Sequence, residues 1–168
     1  CIMNKIPKNI LVIRLSAMGD VALVVPVLLA LTKQYPDVKI TMLSKPFLKP
    51  LFNDMPNVTF LGIDTSKNHK GIFGLLKLFI TLKKHKFDAV ADLHNLLRSK
   101  IIRVLFRLFY LKNIKIAKIN KGRNEKKELT KPVLKKLKPL KHTSQRYADV
   151  FKKIDLKIDL TSGYVKQK

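Results

Sequence analysis

Short apolar runs recur along this chain, separated by longer stretches in which apolar residues return every three or four positions. Residues 9–15 (Asn-Ile-Leu-Val-Ile-Arg-Leu) are nearly all branched and apolar, the pattern of a strand covered on both faces in a parallel sheet. Residues 38–43, 58–63, 87–93 and 114–119 read as further strands. Between them the spacing predicts a helix over 20–34, bent early by Pro26 and ended by Pro36, and a short helix over 46–53. Residues 71–85 read as an amphipathic helix with Ile72, Leu75, Leu76, Phe79 and Leu82 on one stripe. Residues 96–110 read as another helix.

Strand and helix alternate at spacings of roughly 25 to 30 residues, which implies right-handed crossovers and a parallel sheet covered on both sides. The predicted fold is α/β: a Rossmann-like, doubly wound parallel sheet. After Asn120 the periodicity fades. Residues 121–141 hold two prolines and many lysines and read as a solvated basic loop. A last helix is expected over 144–154, before a polar tail. Residues 1–160 are therefore read as one domain, with 161–168 as the start of a linker.

Composition supports a packed domain. The 168 residues are 46% hydrophobic, enough for a real core. The one cysteine, Cys1, cannot form an internal disulfide, and nothing points to an oxidising compartment. The longest apolar run, residues 21–31, is interrupted by Pro26 and is about half the length that spans a bilayer. It lacks the layout of a cleaved signal peptide, so the expected location is the cytoplasm. The net charge of +24 changes the picture more, because it attracts polyanions: nucleic acid, anionic lipid or a phosphorylated sugar. Most of these cations are Lys, a solvated point charge poorly suited to bidentate readout.

The chemistry is expected at two strand-to-helix junctions. Ser16-Ala17-Met18-Gly19-Asp20 joins the first strand to the first helix, at the carboxyl end where ligands gather in open α/β sheets. Gly19 permits a close backbone approach or an unusual φ. Asp20 is either a helix N-cap or first-turn carboxylate, or a general base that takes a proton from an acceptor hydroxyl. Ser16 is either a turn residue or a phosphate or sugar contact. The loop matches neither the P-loop nor the three-glycine dinucleotide fingerprint, which argues against a P-loop nucleotidase and a dehydrogenase. The second junction is Asp92-Leu93-His94-Asn95-Leu96-Leu97-Arg98-Ser99. Asp92, His94, Asn95 and Arg98 are candidates to converge on a polar ligand, with Asn95 alternatively the N-cap of the following helix. Arg98, Arg103 and Arg107 share that helix with large apolar residues, as a solvated basic face over a core helix or as a face resting on anionic lipid. The four histidines are scattered, and no metal site is expected. No aromatic platform or known motif points to nucleic acid.

Three stretches together resemble glycosyltransferase family 9, which contains the ADP-heptose:lipopolysaccharide heptosyltransferases. They are the run from Ile10 to Asp20 followed by a Pro26-containing helix, the segment from Asp92 to Ser99, and His142-Thr-Ser-Gln-Arg146-Tyr147. His94-Asn95 stands where relatives commonly carry Gln-Gly. The resemblance implies a two-domain GT-B fold whose N-terminal half holds a lipid-linked phosphorylated sugar acceptor. The C-terminal half would bind a nucleotide sugar such as ADP-heptose, with no cofactor. It implies an inverting transfer to the lipopolysaccharide inner core, at the inner face of the bacterial inner membrane. Asp20 would be the base, with Ser16, Met18, Gly19, Asp92, His94, Asn95 and Arg98 around the acceptor. The chain stops before a second domain, so it is read as either a fragment or a truncated reading frame, not expected to turn over alone. The rival reading is a non-catalytic basic α/β module that binds a polyanion, either nucleic acid or anionic lipid.

Overall fold

A computed structural model describes residues 5–111, 113–122 and 141–161. Most of the basic stretch 121–141 and the tail 161–168 thus lie outside the described residues, as does Cys1.

Five parallel strands form one sheet in the order β3-β2-β1-β4-β5. β1 (Asn9–Ile13) is central, pairing with β2 (Lys39–Ser44) on one side and β4 (Ala89–Asp92) on the other. Its registers run Ile10 against Ile40 and Ala89, through Ile13 against Leu43 and Asp92. β3 (Val58–Gly62) and β5 (Lys115–Lys118) are the two edges. Ile10 through Ile13 are wholly buried, as a strand covered on both faces must be.

The first helix differs from the sequence expectation. It starts two residues earlier and breaks in two: α1 (Met18–Ala22) and α2 (Val24–Gln34). The cause is Pro26, whose ring would collide with the carbonyl four residues back, that of Ala22. The helix stops at Ala22 and restarts so that Pro26 lies in the first turn of α2, where no amide bond is lost. Residues 46–53 are likewise a 3-10 stretch, Pro46–Phe52, with Pro50 inside it.

α3 (Gly71–Lys83) and α4 (Leu97–Tyr110) cover one face of the sheet. Leu75, Leu78, Phe79 and Leu82 meet Ile102 and Phe106 there, and the rings of Phe79 and Phe106 make an edge contact at 5.0 Å. α1, α2 and α5 (Thr143–Lys152) cover the other face through Val21, Val27, Leu28, Leu31, Tyr147 and Phe151. α5 begins one residue before the expected start and ends two before the expected end. Beyond it, Asp159 exchanges two hydrogen bonds with the Gln34 side chain, at 2.7 and 3.0 Å. Helices on both faces of a parallel sheet make the fold Rossmann-like and doubly wound, with every strand's carboxyl end on one edge.

Candidate functional site

Arg14 follows the last residue of β1 and is almost fully buried. A buried guanidinium needs partners, and it has them at both ends of its fork. Nη1 donates to the Leu93 carbonyl at 2.8 Å, just beyond β4. Nη2 pairs with Asp20 Oδ2. The Arg14 carbonyl accepts from the Ser44 hydroxyl at 2.7 Å, which fixes the backbone at this crossing. One residue thereby connects the ends of β1, β2 and β4 to the first helix.

Asp20 is the third residue of α1 and makes no side-chain capping bond, so the N-cap alternative does not hold. It is a first-turn carboxylate whose side chain is 44% exposed. Among the described residues its Oδ1 has no hydrogen-bond donor. Its backbone carbonyl accepts from the Tyr147 hydroxyl at 3.0 Å, which fastens α1 to α5. Tyr147 is wholly buried, and burial pushes its hydroxyl up to about 12, so it stays protonated at neutral pH.

A cleft of about 460 Å³ opens over this pair. Arg14, Asp20, Lys121, Lys141, Arg146 and Tyr147 line it, together with His142. The Arg146 guanidinium is nearly buried and donates to the carbonyls of Asn120 and Lys141, both at 3.2 Å. It lies flat on Gly122, where a Cβ would meet its nitrogens at 2.4–2.5 Å. Gly122 also has φ +60°, so two separate constraints require glycine. One carboxylate facing several cations is a setting for an anionic ligand and a proton acceptor together.

The second junction is arranged differently from the sequence expectation, since its residues do not converge. Asp92 is wholly buried and does not line that cleft. Its Oδ1 accepts from the amides of His94 (2.9 Å) and Asn95 (2.7 Å), and its Oδ2 lies 2.8 Å from Arg103 Nε. That last contact is ionic rather than a well-aligned hydrogen bond. Asn95 is not the N-cap of α4; Leu96 holds that position. The Asn95 backbone turns to φ +46°, and its side chain donates to the Ile119 carbonyl (3.1 Å) and accepts from Arg103 (3.1 Å). Ser99 serves the helix start by accepting from the Leu96 amide at 3.0 Å.

The candidates are therefore divided among adjoining clefts. Asn95 lines a basic one of about 470 Å³ with Lys100, Lys118, Lys121 and Lys153. His94 and Arg98 line an apolar groove of about 530 Å³ with Ile72, Leu75, Leu97 and Ile101. His94 is buried, and burial first, then the nearby Arg14, push its imidazole down to about 4. It is neutral at pH 7, and among the described residues its Nδ1 has no hydrogen-bond partner. Ser16 is half-buried, while Met18 and Gly19 are exposed. Gly19 has no positive φ, and a Cβ there would meet nothing within 4 Å, so its local fold does not demand glycine.

Sequence reasoning passed over Arg14 and Arg103 as site-forming residues. The signal for Arg14 was present: a lone cation in an apolar strand run needs a buried partner. Helical spacing puts Arg103 on a basic face of α4, but its side chain points inward to Asp92, while Arg98 and Arg107 are exposed. His142, Arg146 and Tyr147, a motif to which the sequence alone assigns no role, line the cleft beside Asp20. Among the described residues no group of three or more His, Cys, Asp or Glu could hold a metal ion.

No family model matches the chain. Over 96 residues it is 30% identical to the lipopolysaccharide core heptosyltransferase OpsX of Haemophilus influenzae, covering 57% of this chain and 27% of that protein. In structure it is similar to the glycosyl transferase family 9 protein of Veillonella parvula (TM-score 0.64, 24% identity), covering 89% of this chain and 42% of that one. It is also similar to the E. coli heptosyltransferase WaaC solved with ADP-2-deoxy-2-fluoro heptose (TM-score 0.63, 15% identity), covering 95% of this chain and 54% of that one. The chain thus spans between about a quarter and about half of the length of these proteins.

Proposed function

We propose that this chain, similar in sequence and fold to the family 9 glycosyltransferases, is the acceptor-side half of a sugar transferase acting on the lipopolysaccharide inner core. The donor in this reading is ADP-heptose or a related nucleotide sugar, held by a second domain, and no cofactor is assigned. The reaction is a single displacement. Asp20 takes the proton of an acceptor hydroxyl. The freed oxygen bonds to the anomeric carbon as the bond from that carbon to the ADP phosphate breaks, with inversion.

The observation that carries this reading is the Arg14–Asp20 pair at the floor of a cation-lined cleft. Arg14 fixes one carboxylate oxygen, which holds the other at a defined position for a hydroxyl. Lys121, Lys141 and Arg146 suit the phosphates of a phosphorylated sugar acceptor. Ser16, Met18 and Gly19 are placed in this proposal beside the acceptor, His94 and Arg98 along the apolar groove, and Asn95 in the second basic cleft. The protein would work in the cytoplasm, at the inner face of the bacterial inner membrane.

A non-catalytic polyanion-binding module is the rival, favoured by the +24 charge. The test is heptose transfer from ADP-heptose to an inner-core acceptor by this chain joined to a sugar-nucleotide-binding domain. Product formation supports the transferase. A joined protein that binds both substrates and yields no product, while the chain binds RNA or DNA with a steep salt dependence, supports the rival.

A further inference from the structure

We infer that the outer face shared by α3 and α4 docks on an anionic lipid bilayer. Large apolar side chains stand exposed there: Ile72, Phe73 and Ile80 on α3, and Leu97, Val104 and Leu108 on α4, with Phe73 87% exposed. On α4 the spacing puts them on one stripe opposite the residues that face the sheet, and on α3 on one stripe that adjoins the buried side. The edge contact of Phe79 with Phe106 holds the two helices side by side, so the stripes form one surface. Soluble monomers seldom expose a contiguous apolar patch of this kind without a use for it.

The charge around the patch chooses the occupant. Lys77 lies beside the α3 stripe and Lys83 at its end, while Arg98 lies on one side and Lys100 and Arg107 on the other side of the α4 stripe. Lys83 also lies over the Phe109 ring, at 3.5 Å from its centre. No acidic residue occurs in either helix. An apolar centre with a purely cationic rim matches an interface of acyl chains below anionic headgroups. A second copy of this chain would set the same cations against each other. At the carboxyl edge of the sheet the face ends in the apolar groove between Ile72 and Leu97, so docking would bring the bilayer beside the candidate site. The inference stands on this surface alone and does not require the transfer reaction.

Vesicle flotation of the 168-residue chain tests it, with phosphatidylethanolamine–phosphatidylglycerol vesicles against phosphatidylcholine vesicles. Binding to the anionic vesicles is expected to be at least about tenfold tighter. The Phe73→Glu, Leu108→Glu double variant should lose about tenfold or more of it with an unchanged far-UV spectrum. Should that variant lose helical signal, the milder pair Ile80→Ser, Val104→Ser carries the same expectation. Phe47→Glu, at an exposed apolar residue of the 3-10 stretch, should leave binding unchanged. Absent binding, equal binding to both vesicles, or full binding by the α3–α4 variants overturns the inference. So does a Phe47→Glu loss as large as theirs. A concentration-dependent dimer that the same variants abolish, without vesicle binding, would assign the face to a second copy. Transfer activity can hold or fail in either case, so the two readings are tested separately.

Discussion

Arg14 and Asp20 form an ion pair in which the arginine is nearly buried and the aspartate half exposed. The arginine thus belongs to the core and the aspartate to the cleft, and the pair transmits the order of the sheet to the group nearest the proposed chemistry. Arg14→Met removes the fixed partner of Asp20 and the Nη1 bond to the Leu93 carbonyl. Stability should fall by about 1–3 kcal/mol in urea denaturation, since a buried carbonyl loses its donor. In an active transferase kcat should fall about ten- to a hundredfold, because Asp20 loses its fixed position. An unchanged kcat would show that Arg14 does not position Asp20.

Asp92 is a structural carboxylate by its geometry. Asp92→Ala leaves two loop amides without their acceptor and Arg103 without its counter-ion, at a cost of about 3–5 kcal/mol by denaturant titration. Combining it with Arg103→Met should recover part of that loss, because the unpaired cation is removed as well.

His94 makes stability depend on acid. Its imidazole titrates near 4 in the folded chain and near 6.5 in an unfolded one, so below pH 6.5 the unfolded chain binds a proton that the folded chain refuses. This contribution is complete above about pH 6.5 and is lost as the pH falls towards 4, on the order of 2 kcal/mol. Urea midpoints of the wild type and His94→Gln across that window measure it. Parallel curves for the two would contradict the account.

Tyr147 joins α5 to the backbone of Asp20 by one hydrogen bond. Tyr147→Phe should cost about 1 kcal/mol of stability and change kcat by less than about tenfold, since the phenol stays protonated and only steadies α1. A kcat loss as large as that for Asp20 would give Tyr147 a direct part in the reaction, contrary to this account.

The five strands, their alternation with helices and the edge that carries the clefts were legible from the sequence because apolar runs and their spacing record burial directly, whereas the order β3-β2-β1-β4-β5 depends on pairings that no local run encodes. The break at Leu23 was legible only in part: Pro26 announced a disturbance, and the collision with Ala22 set where it fell. The second junction misled for a local reason. Asp92, His94, Asn95 and Arg98 are close in sequence, but Asp92 is taken up by its own loop amides and the positive φ of Asn95 turns that residue to one cleft while His94 and Arg98 share another. Arg103 was hidden because helical spacing shows which positions share a face but not which of two flanking charges finds a buried carboxylate. Where Lys121, Lys141 and Arg146 meet Asp20 depends on the far end of the chain folding back across the sheet, which no local pattern encodes.

The proposal rests on the Asp20 carboxylate acting as a base, and the most direct test is kcat of Asp20→Asn against wild type. The assay uses this chain joined to a sugar-nucleotide-binding domain, with ADP-heptose and an inner-core acceptor. The amide keeps the shape and a hydrogen-bonding oxygen but cannot take the proton. The account predicts a fall in kcat of about a hundredfold or more with the acceptor KM little changed. A near-normal kcat would contradict it and leave Asp20 as a carboxylate that only starts a helix.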